Sequence, residues 1–271
     1  MPRQTSIRVR PAAVAGRFYP GTAGQLGATV TELLATAQPV GAAPKGIIAP
    51  HAGYVYSGPI AATAYASVRA RAAQIEKVVL LGPAHRVYLD GLALPAADCF
   101  ATPLGEVEVD AALAAAVLEL PQVIRSEQAH ELEHSLEVHI PFLQALLPRF
   151  TLLPLVVGDA SPAQVAQVLE RVWGGPETLI VISSDLSHYH DYAEARRLDE
   201  ATASWIASTH TPGLDPRRAC GARCIDGLIE FSRHHPLALE LLDLRNSGDT
   251  AGPRDRVVGY AAFAIREEVP S

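Results

Sequence analysis

The 271-residue chain reads as an α/β protein, a single domain with a central, mostly parallel or mixed sheet flanked by helices. Three observations predict this. Short runs at 45–50, 77–82, 151–158 and 178–184 are apolar at nearly every position, as strands buried on both faces of a parallel sheet must be. Stretches of helical spacing lie between them, and strand alternating with helix is the pattern of a sheet covered on both sides. Three of the runs also end at a histidine, His51, His85 and His188, at the carboxyl ends of strands where open α/β sheets bind ligands.

Residues 7–20 are bounded by proline and irregular. From Thr22 to Ala37 the apolar positions Leu26, Val30, Leu33 and Leu34 fall at i, i+4, i+7 and i+8, which predicts a helix with Thr22 at its cap. A Pro/Gly connection leads into the 45–50 strand, and a Gly-rich turn at Gly53 precedes an alanine-rich helix from Ile60 to Arg69. Residues 86–109 read as short strands and turns, and Asp110 to Leu120 as a helix capped by Asp110. The polar segment 126–139 leads into an apolar helix, Val138 to Leu147. An amphipathic helix is expected at Ser161–Trp173, with further helices at Ala193–Ser208 and near 218–232. Periodicity leaves Leu237–Leu244 open between strand and helix. Asn246 to Arg256 is a loop by composition, and Val257–Ile265 closes the fold as a strand.

About half the residues are apolar and 19% are charged, a globular composition rather than a disordered one. The net charge of −7 argues against a broad basic face for nucleic acid. No run is long and apolar enough for a membrane span or a signal-peptide core. Cys99, Cys220 and Cys224 are too few for a disulfide framework, and a cytoplasmic setting is expected. All three are read as structural thiols.

One histidine at a strand end is as readily a neutral imidazole bonded to a carbonyl as a functional group. Three at equivalent places favour metal binding or acid/base chemistry. The segment Glu131-Leu-Glu133-His134-Ser-Leu-Glu137-Val-His139 adds carboxylates and imidazoles. Were it helical, Glu133, His134 and Glu137 would share a face. His134 and His139, five residues and about 140° apart, would not, so the two-histidine helical zinc motif is excluded. Direct coordination, hydrogen bonding to the ligands from outside, and a solvated helix start remain open. Asp185 is placed to orient an imidazole or cap a helix, and Tyr54 to present a hydroxyl or simply pack. No Gly-x-Gly-x-x-Gly, P-loop or Gly-x-Ser-x-Gly pattern occurs.

Six stretches, in order along nearly the whole chain, carry a family resemblance: Arg10-Pro-Ala-Ala-Val-Ala-Gly-Arg-Phe-Tyr-Pro20, Ala49-Pro-His-Ala-Gly-Tyr-Val-Tyr-Ser-Gly58, Leu81-Gly-Pro-Ala-His85, Glu133-His-Ser-Leu-Glu-Val-His-Ile-Pro-Phe142, Ser183-Ser-Asp-Leu-Ser-His188, and Ser247-Gly-Asp249 with Val258-Gly-Tyr-Ala-Ala262. The chain resembles the Memo family, whose bacterial members are called AmmeMemoRadiSam system protein B. The resemblance implies a fold like that of the class III extradiol dioxygenases, with a pocket in the place of their non-haem iron site.

It further implies that His51 and His85 are metal ligands and that His188 lies across the pocket as the acid/base group, with Asp185 and Tyr54 as further catalytic candidates. Animal members carry a cysteine where this chain has Thr250, beside Asp249. Asp249 as third ligand would complete two histidines and one carboxylate, the set that suits iron(II), with zinc or copper as alternatives. His134, Glu137, His139 and Thr250 are then expected around the ligands. The expected function is a metal-dependent oxidoreductase of the dioxygenase kind; a binding, scaffold or metal-handling protein that keeps the pocket is the alternative. The expected partner is a small molecule or peptide in the pocket, with a functional link to radical-SAM and AMMECR-domain proteins, and neither nucleic acid nor membrane.

Overall fold

The computed structural model describes residues 7–38, 41–208 and 211–268. In chain order the elements are β1 (Val9–Arg10), α1 (Ala23–Thr36), β2 (Gly46–Ala49), α2 (Tyr54–Val68), β3 (Lys77–Pro83), β4 (Leu92–Leu94), β5 (Cys99–Thr102), β6 (Gly105–Glu108), α3 (Ala111–Val117), β7 (Val123–Arg125), α4 (Glu127–Glu131), α5 (Ile140–Leu146), β8 (Thr151–Val157), α6 (Pro162–Val172), β9 (Thr178–Ser183), β10 (His188–His190), α7 (Tyr192–Ser208), α8 (Ala222–Ser232), β11 (Leu237–Asn246) and β12 (Val257–Glu267).

The centre of the main sheet is parallel, in the order β2-β9-β3-β8. Antiparallel strands flank it: β12 pairs with β2 and β11 with β12 on one side, and β4 with β8 on the other, where β7 then runs parallel to β4. The sheet is therefore mixed around a parallel core. A second, three-stranded sheet, β1-β5-β6, ties down Val9 and Arg10.

Successive residues of the central strands divide between two cores. Ile48, Val79, Leu81, Ile180 and Ile182 pack with residues of α6 and α8 on one face. Ile47, Val78, Leu80, Leu179 and Val181 pack with residues of α1, α2 and α5 on the other. The period-2 alternation of side chains puts an apolar residue on both faces at each interior step, which is why these runs carry polar residues only at their ends.

Most expected elements form, with shifts at their ends. α2 starts at Tyr54 rather than Ile60 and runs through Pro59, so the chain turns into helix directly after Gly53. Asp110 caps α3 as expected, accepting from the Ala112 and Leu113 amides. Thr22 occupies the cap of α1 but its hydroxyl goes to Gln25. Leu237–Leu244 resolves as part of strand β11, paired along its length with β12. Residues 133–136 are not helical, so the shared helix face expected for Glu133, His134 and Glu137 does not exist.

Glu137 is fully buried, with no helix start in solvent around it. Its Oε2 accepts from the Arg10 guanidinium at 2.7 Å and the Ala13 amide at 2.8 Å. Its Oε1 accepts from the Tyr19 hydroxyl at 2.6 Å and the Val14 amide at 3.0 Å. Arg10 spends its other donors on the His130 and Glu133 carbonyls. The pair straps residues 10–19 to the 130–137 segment, and a buried charge that loses its partner is expensive. Glu137→Ala should therefore lower folding stability by about 3–5 kcal/mol, read from the urea midpoint; a change under about 1 kcal/mol, the value of an exposed pair, would refute the strap.

Candidate metal centre

β2 and β3 both flank β9, with Ala49 level with Ser183 and Leu81 with Ile182. Two residues beyond each flanking strand the chain places a histidine, so His51 and His85 meet above the end of β9, their ring centroids 5.1 Å apart. The third imidazole comes from His134. Its ring stacks on His85 at 4.8 Å and stands edge-on to His51 at 5.4 Å. Ring nitrogens of His51, His85 and His134 lie within 4.8 Å of one another, the sole such donor group found among the described residues.

The loop carrying His134 is pinned to two strand ends. Ser135 Oγ donates to the Pro83 carbonyl at the end of β3, and the Ser135 carbonyl accepts from Ser183 Oγ at the end of β9. Gly82 permits this approach, since a Cβ there would lie 2.8 Å from Leu136 and 2.9 Å from Ser135 Oγ.

Proton accounting at Ser183 fixes the tautomer of His51. Ser183 Oγ lies 2.7 Å from the Ser135 carbonyl, 2.6 Å from His51 Nδ1 and 2.9 Å from His139 Nε2. The carbonyl only accepts, so the single hydroxyl proton goes there, and both imidazoles must donate. His51 therefore carries its proton on Nδ1 and turns the Nε2 lone pair away from Ser183. His139 is likewise protonated on Nε2, and its Nδ1 accepts from the Tyr65 hydroxyl at 2.9 Å. Burial holds both rings neutral, His51 well below the ordinary imidazole value and His139 at about 3.

Glu133 does for His85 what Ser183 does for His51. Its Oε1 accepts from His85 Nδ1 and from the His134 and Ser135 amides, each at 2.9 Å, and its Oε2 accepts from the His85 amide at 2.6 Å. Burial pushes this carboxyl up, but the bonds from His85 and Ser135 outweigh it and bring it down to about 2. His85 thus donates through Nδ1, which leaves Nε2 as the ring nitrogen not bonded to Glu133. His134 Nδ1 is buried with no hydrogen-bond partner, 3.3 Å from Glu133 Oε1. Burial holds this ring down at about 4.

These features fit a divalent metal: three imidazoles, two of them oriented by outer hydrogen bonds in the manner of metal-ligating histidines, and an orphaned ring nitrogen. Asp185 adds to the fit. Its Oδ1 accepts from the His51 amide at 2.8 Å, while its Oδ2 lies 3.9 Å from His51 Nε2, so a carboxylate oxygen stands close to that ring nitrogen. Burial raises the Asp185 carboxyl to about 6. His188, half-buried at the start of β10, is near enough for its charge to act on both His51 and Asp185.

Other expected site residues lie elsewhere. Asp249 is exposed and does not join the cluster: its carboxylate accepts from the Tyr192 hydroxyl at 2.5 Å and the Asn246 amide at 3.0 Å, capping a 3-10 turn. Thr250 hydrogen-bonds to the Ser247 carbonyl in that turn. Tyr54 is buried and its hydroxyl is spent on the Val138 carbonyl at 2.7 Å. Glu137 belongs to the Arg10 strap, and His139 touches the centre only through Ser183. Conversely, Cys220, read from the sequence as a structural thiol, has its Sγ 3.3 Å from His51 Nε2. Ser183, Glu133 and Cys220 all sit beside residues singled out in the sequence, but nothing local marks what they touch.

The fold and the centre together define a mixed α/β protein with a histidine cluster at the carboxyl ends of its parallel strands. The family model described as Memo-like protein matches residues 10–264, and the chain belongs to that family. A MEMO1 family protein of Aquifex aeolicus is 37% identical over 268 residues, covering 94% of this chain and 98% of the relative. One from Archaeoglobus fulgidus is 34% identical over 279 residues, covering 95% of this chain and 100% of the relative. Among solved structures, the uncharacterized protein JW3007 from Escherichia coli K12 shares the fold, with a TM-score of 0.52 at 13% identity over 80% of this chain and 98% of that one. No helix among the described residues is long and apolar enough to cross a membrane.

The buried imidazoles make the fold acid-sensitive. Burial holds His51, His130, His134 and His139 below their ordinary 6.5, His130 and His134 at about 4. The unfolded chain then binds more protons than the fold in this range, so stability is lost as pH falls below 6.5 and levels out below the folded values. Glu133 contributes in the same direction, between 4.5 and about 2. Asp185, raised to about 6, and Asp199, raised by burial, oppose it: each folded carboxyl takes its proton above the unfolded value of 3.8. Four imidazoles outweigh two carboxyls. The metal-free protein should lose stability steeply from pH 6.5 to 4, with His130 and His134 each contributing on the order of 3 kcal/mol across that window. Urea midpoints measured at several pH values check this, and a flat profile would contradict it.

Proposed function

We propose that the chain is a metal-dependent enzyme whose centre is held by His51, His85 and His134, and that it acts as an oxidoreductase of the extradiol dioxygenase kind on a small polar or aromatic molecule. The observation that carries this reading is the convergence of three imidazoles, two of them held through Nδ1 by Ser183 and Glu133. Three imidazoles suit iron, zinc and copper alike, and iron(II) is the member that supports oxygen chemistry with open positions for substrate. When bound, such an ion supplies a Lewis acid that orients and polarises a substrate oxygen.

The protein's own groups would do the rest. His188 stands half-buried at the start of β10, and in this reading it takes a proton from a substrate hydroxyl and returns it later. Asp185, with its carboxyl near 6, is matched to holding or releasing a proton close to neutrality. Tyr54 drops out of the catalytic set because its hydroxyl is committed to Val138. A second reading, a binding or metal-handling protein that kept the pocket without turnover, draws support from the position of Asp249, since two histidines and a carboxylate do not assemble as the resemblance implied. A working link to radical-SAM and AMMECR-domain proteins belongs to the same proposal, and co-purification from cells tests it.

Elemental analysis of protein purified anaerobically without chelator should find near-stoichiometric metal, lost in the His51→Ala, His85→Ala double variant. Metal-free protein that also refuses added iron(II) would sink the proposal. With oxygen uptake measured on a panel of catechol-type substrates, His188→Ala should keep its metal and lose roughly 10²–10⁴-fold in rate, the usual weight of a general acid or base. Loss of metal along with turnover would instead make His188 part of the centre's scaffold. Metal retention in the absence of any turnover would favour the second reading.

A further inference from the structure

We propose that the cavity between β1 and α4 binds a small organic cation, a flat apolar body ending in an amine or amidine, whose N–H is accepted by His130. The site lies outside the cluster of His51, His85 and His134 and does not depend on whether that cluster holds a metal.

His130 has a ring nitrogen that its surroundings leave unused. The residue is 2% exposed. Its Nε2 lies 2.8 Å from the Ala93 carbonyl, which only accepts, so the ring proton is on Nε2 and Nδ1 carries a lone pair. Burial keeps the ring neutral by holding it down at about 4. No donor among the described residues reaches Nδ1. The ring is also fixed in place: Phe100 stands edge-on to it at 5.9 Å, and Arg10 Nε donates to the His130 carbonyl at 2.7 Å. A buried acceptor left bare is costly, and in a native protein it calls for a partner.

The cavity offers room for one. Glu127, His130 and Glu131 fall at i, i+3 and i+4 on one face of α4, and all three line a cavity of about 310 Å³, enough for a small ring system. Val9, Pro11 and the segment Pro95–Ala97 give it apolar walls. Arg125 donates to the Pro95 carbonyl at 2.9 Å and fixes that segment.

Charge selects the sign of the ligand. Two arginines line the cavity and each has a carboxylate of its own, Arg8 with Asp98 at 3.3 Å and Arg10 with Glu137 at 2.7 Å. The exposed Glu127 and Glu131 carboxylates have neither an ion-pair nor a hydrogen-bond partner among the described residues. What remains uncompensated is a neutral lone pair at the buried end and two negative charges toward solvent. A positively charged N–H donor answers both. A carboxylate or phosphate would bring only acceptors to an acceptor.

Benzamidine serves as the probe, and acetophenone, of nearly the same shape but with neither N–H nor charge, as its control. The full chain, kept in chelator so that the histidine cluster plays no part, is titrated with each and followed by calorimetry. Benzamidine should bind one-to-one, and acetophenone at least about tenfold more weakly, the order of a lost charged hydrogen bond. With isotope-labelled histidine, saturating benzamidine should move the Nδ1 resonance of His130 upfield, from a bare lone pair to a hydrogen-bond acceptor. Glu127→Gln combined with Glu131→Gln should weaken benzamidine several-fold at low salt and remove most of its salt dependence. His130→Phe, which keeps a flat ring against Phe100 but no acceptor, should cost benzamidine about tenfold and leave acetophenone unchanged. Should that variant fail to fold, the resonance of wild type still decides. No saturable benzamidine binding, equal binding of acetophenone, or binding that leaves the His130 Nδ1 resonance in place would overturn the site. None of these outcomes bears on the metal reading, which is tested at His51 and His85.

Discussion

The hydroxyl of Ser183 has one proton and three neighbours, and the way that conflict is resolved governs the centre. Because the Ser135 carbonyl can only accept, the proton is committed to it, and His51 and His139 must each donate to the same oxygen. The Nε2 of His51 is thereby left as a lone pair in a space it shares with His85, His134, Asp185 and Cys220. The bond to Ser135 also holds the loop that brings His134. One side chain at the end of the middle strand thus orders the electronic state of one imidazole and the position of another. Were that hydroxyl absent, the buried nitrogens of two histidines would lose their acceptor together, and unmet buried donors are costly.

The sheet supplies what local bonding cannot. His51 and His85 come from strands on either side of β9, so their separation is set by strand spacing and register rather than by any contact between them. Apolar cores on both faces make that register expensive to change, since a slip of one residue would exchange every inward side chain between them. His134 has no such frame. It lies in a non-helical segment, and its position is held by Ser135 at two strand ends, by the Glu133 carboxylate, and by the Arg10–Glu137 pair that fastens residues 10–19 across the segment. The electrostatic cost of this construction is a set of neutral, buried imidazoles beside two buried carboxylates, an arrangement tolerated because each donor has a named acceptor or faces the centre.

Much of this was legible in the sequence, and the limits are instructive. The buried strands were readable because being apolar on both faces leaves an unbroken run, and two of the three clustered histidines were readable because they end such runs. The resemblance to the Memo family rested on motifs that include those histidines. His134 was misplaced for a physical reason: helix periodicity was applied to a segment whose backbone is bound to strand ends by Ser135 and Glu133, contacts 48 and 52 residues away in sequence. Asp249 looked like a ligand because it stands beside the position the family motif marks, yet in the fold it caps a turn and holds Tyr192. Cys220 lies 169 residues from His51, and only the close rest of the Gly221 turn on β9 brings the two together.

The central claim is that one metal ion is held jointly by His51, His85 and His134, and diffraction at the metal's absorption edge tests it most directly. Crystals of the metal-loaded chain should give a single strong anomalous peak bonded to Nε2 of His51, Nε2 of His85 and a ring nitrogen of His134, with the Nδ1 atoms of His51 and His85 still on Ser183 and Glu133. A peak at Asp249, or one that leaves His134 uncoordinated, would contradict the account.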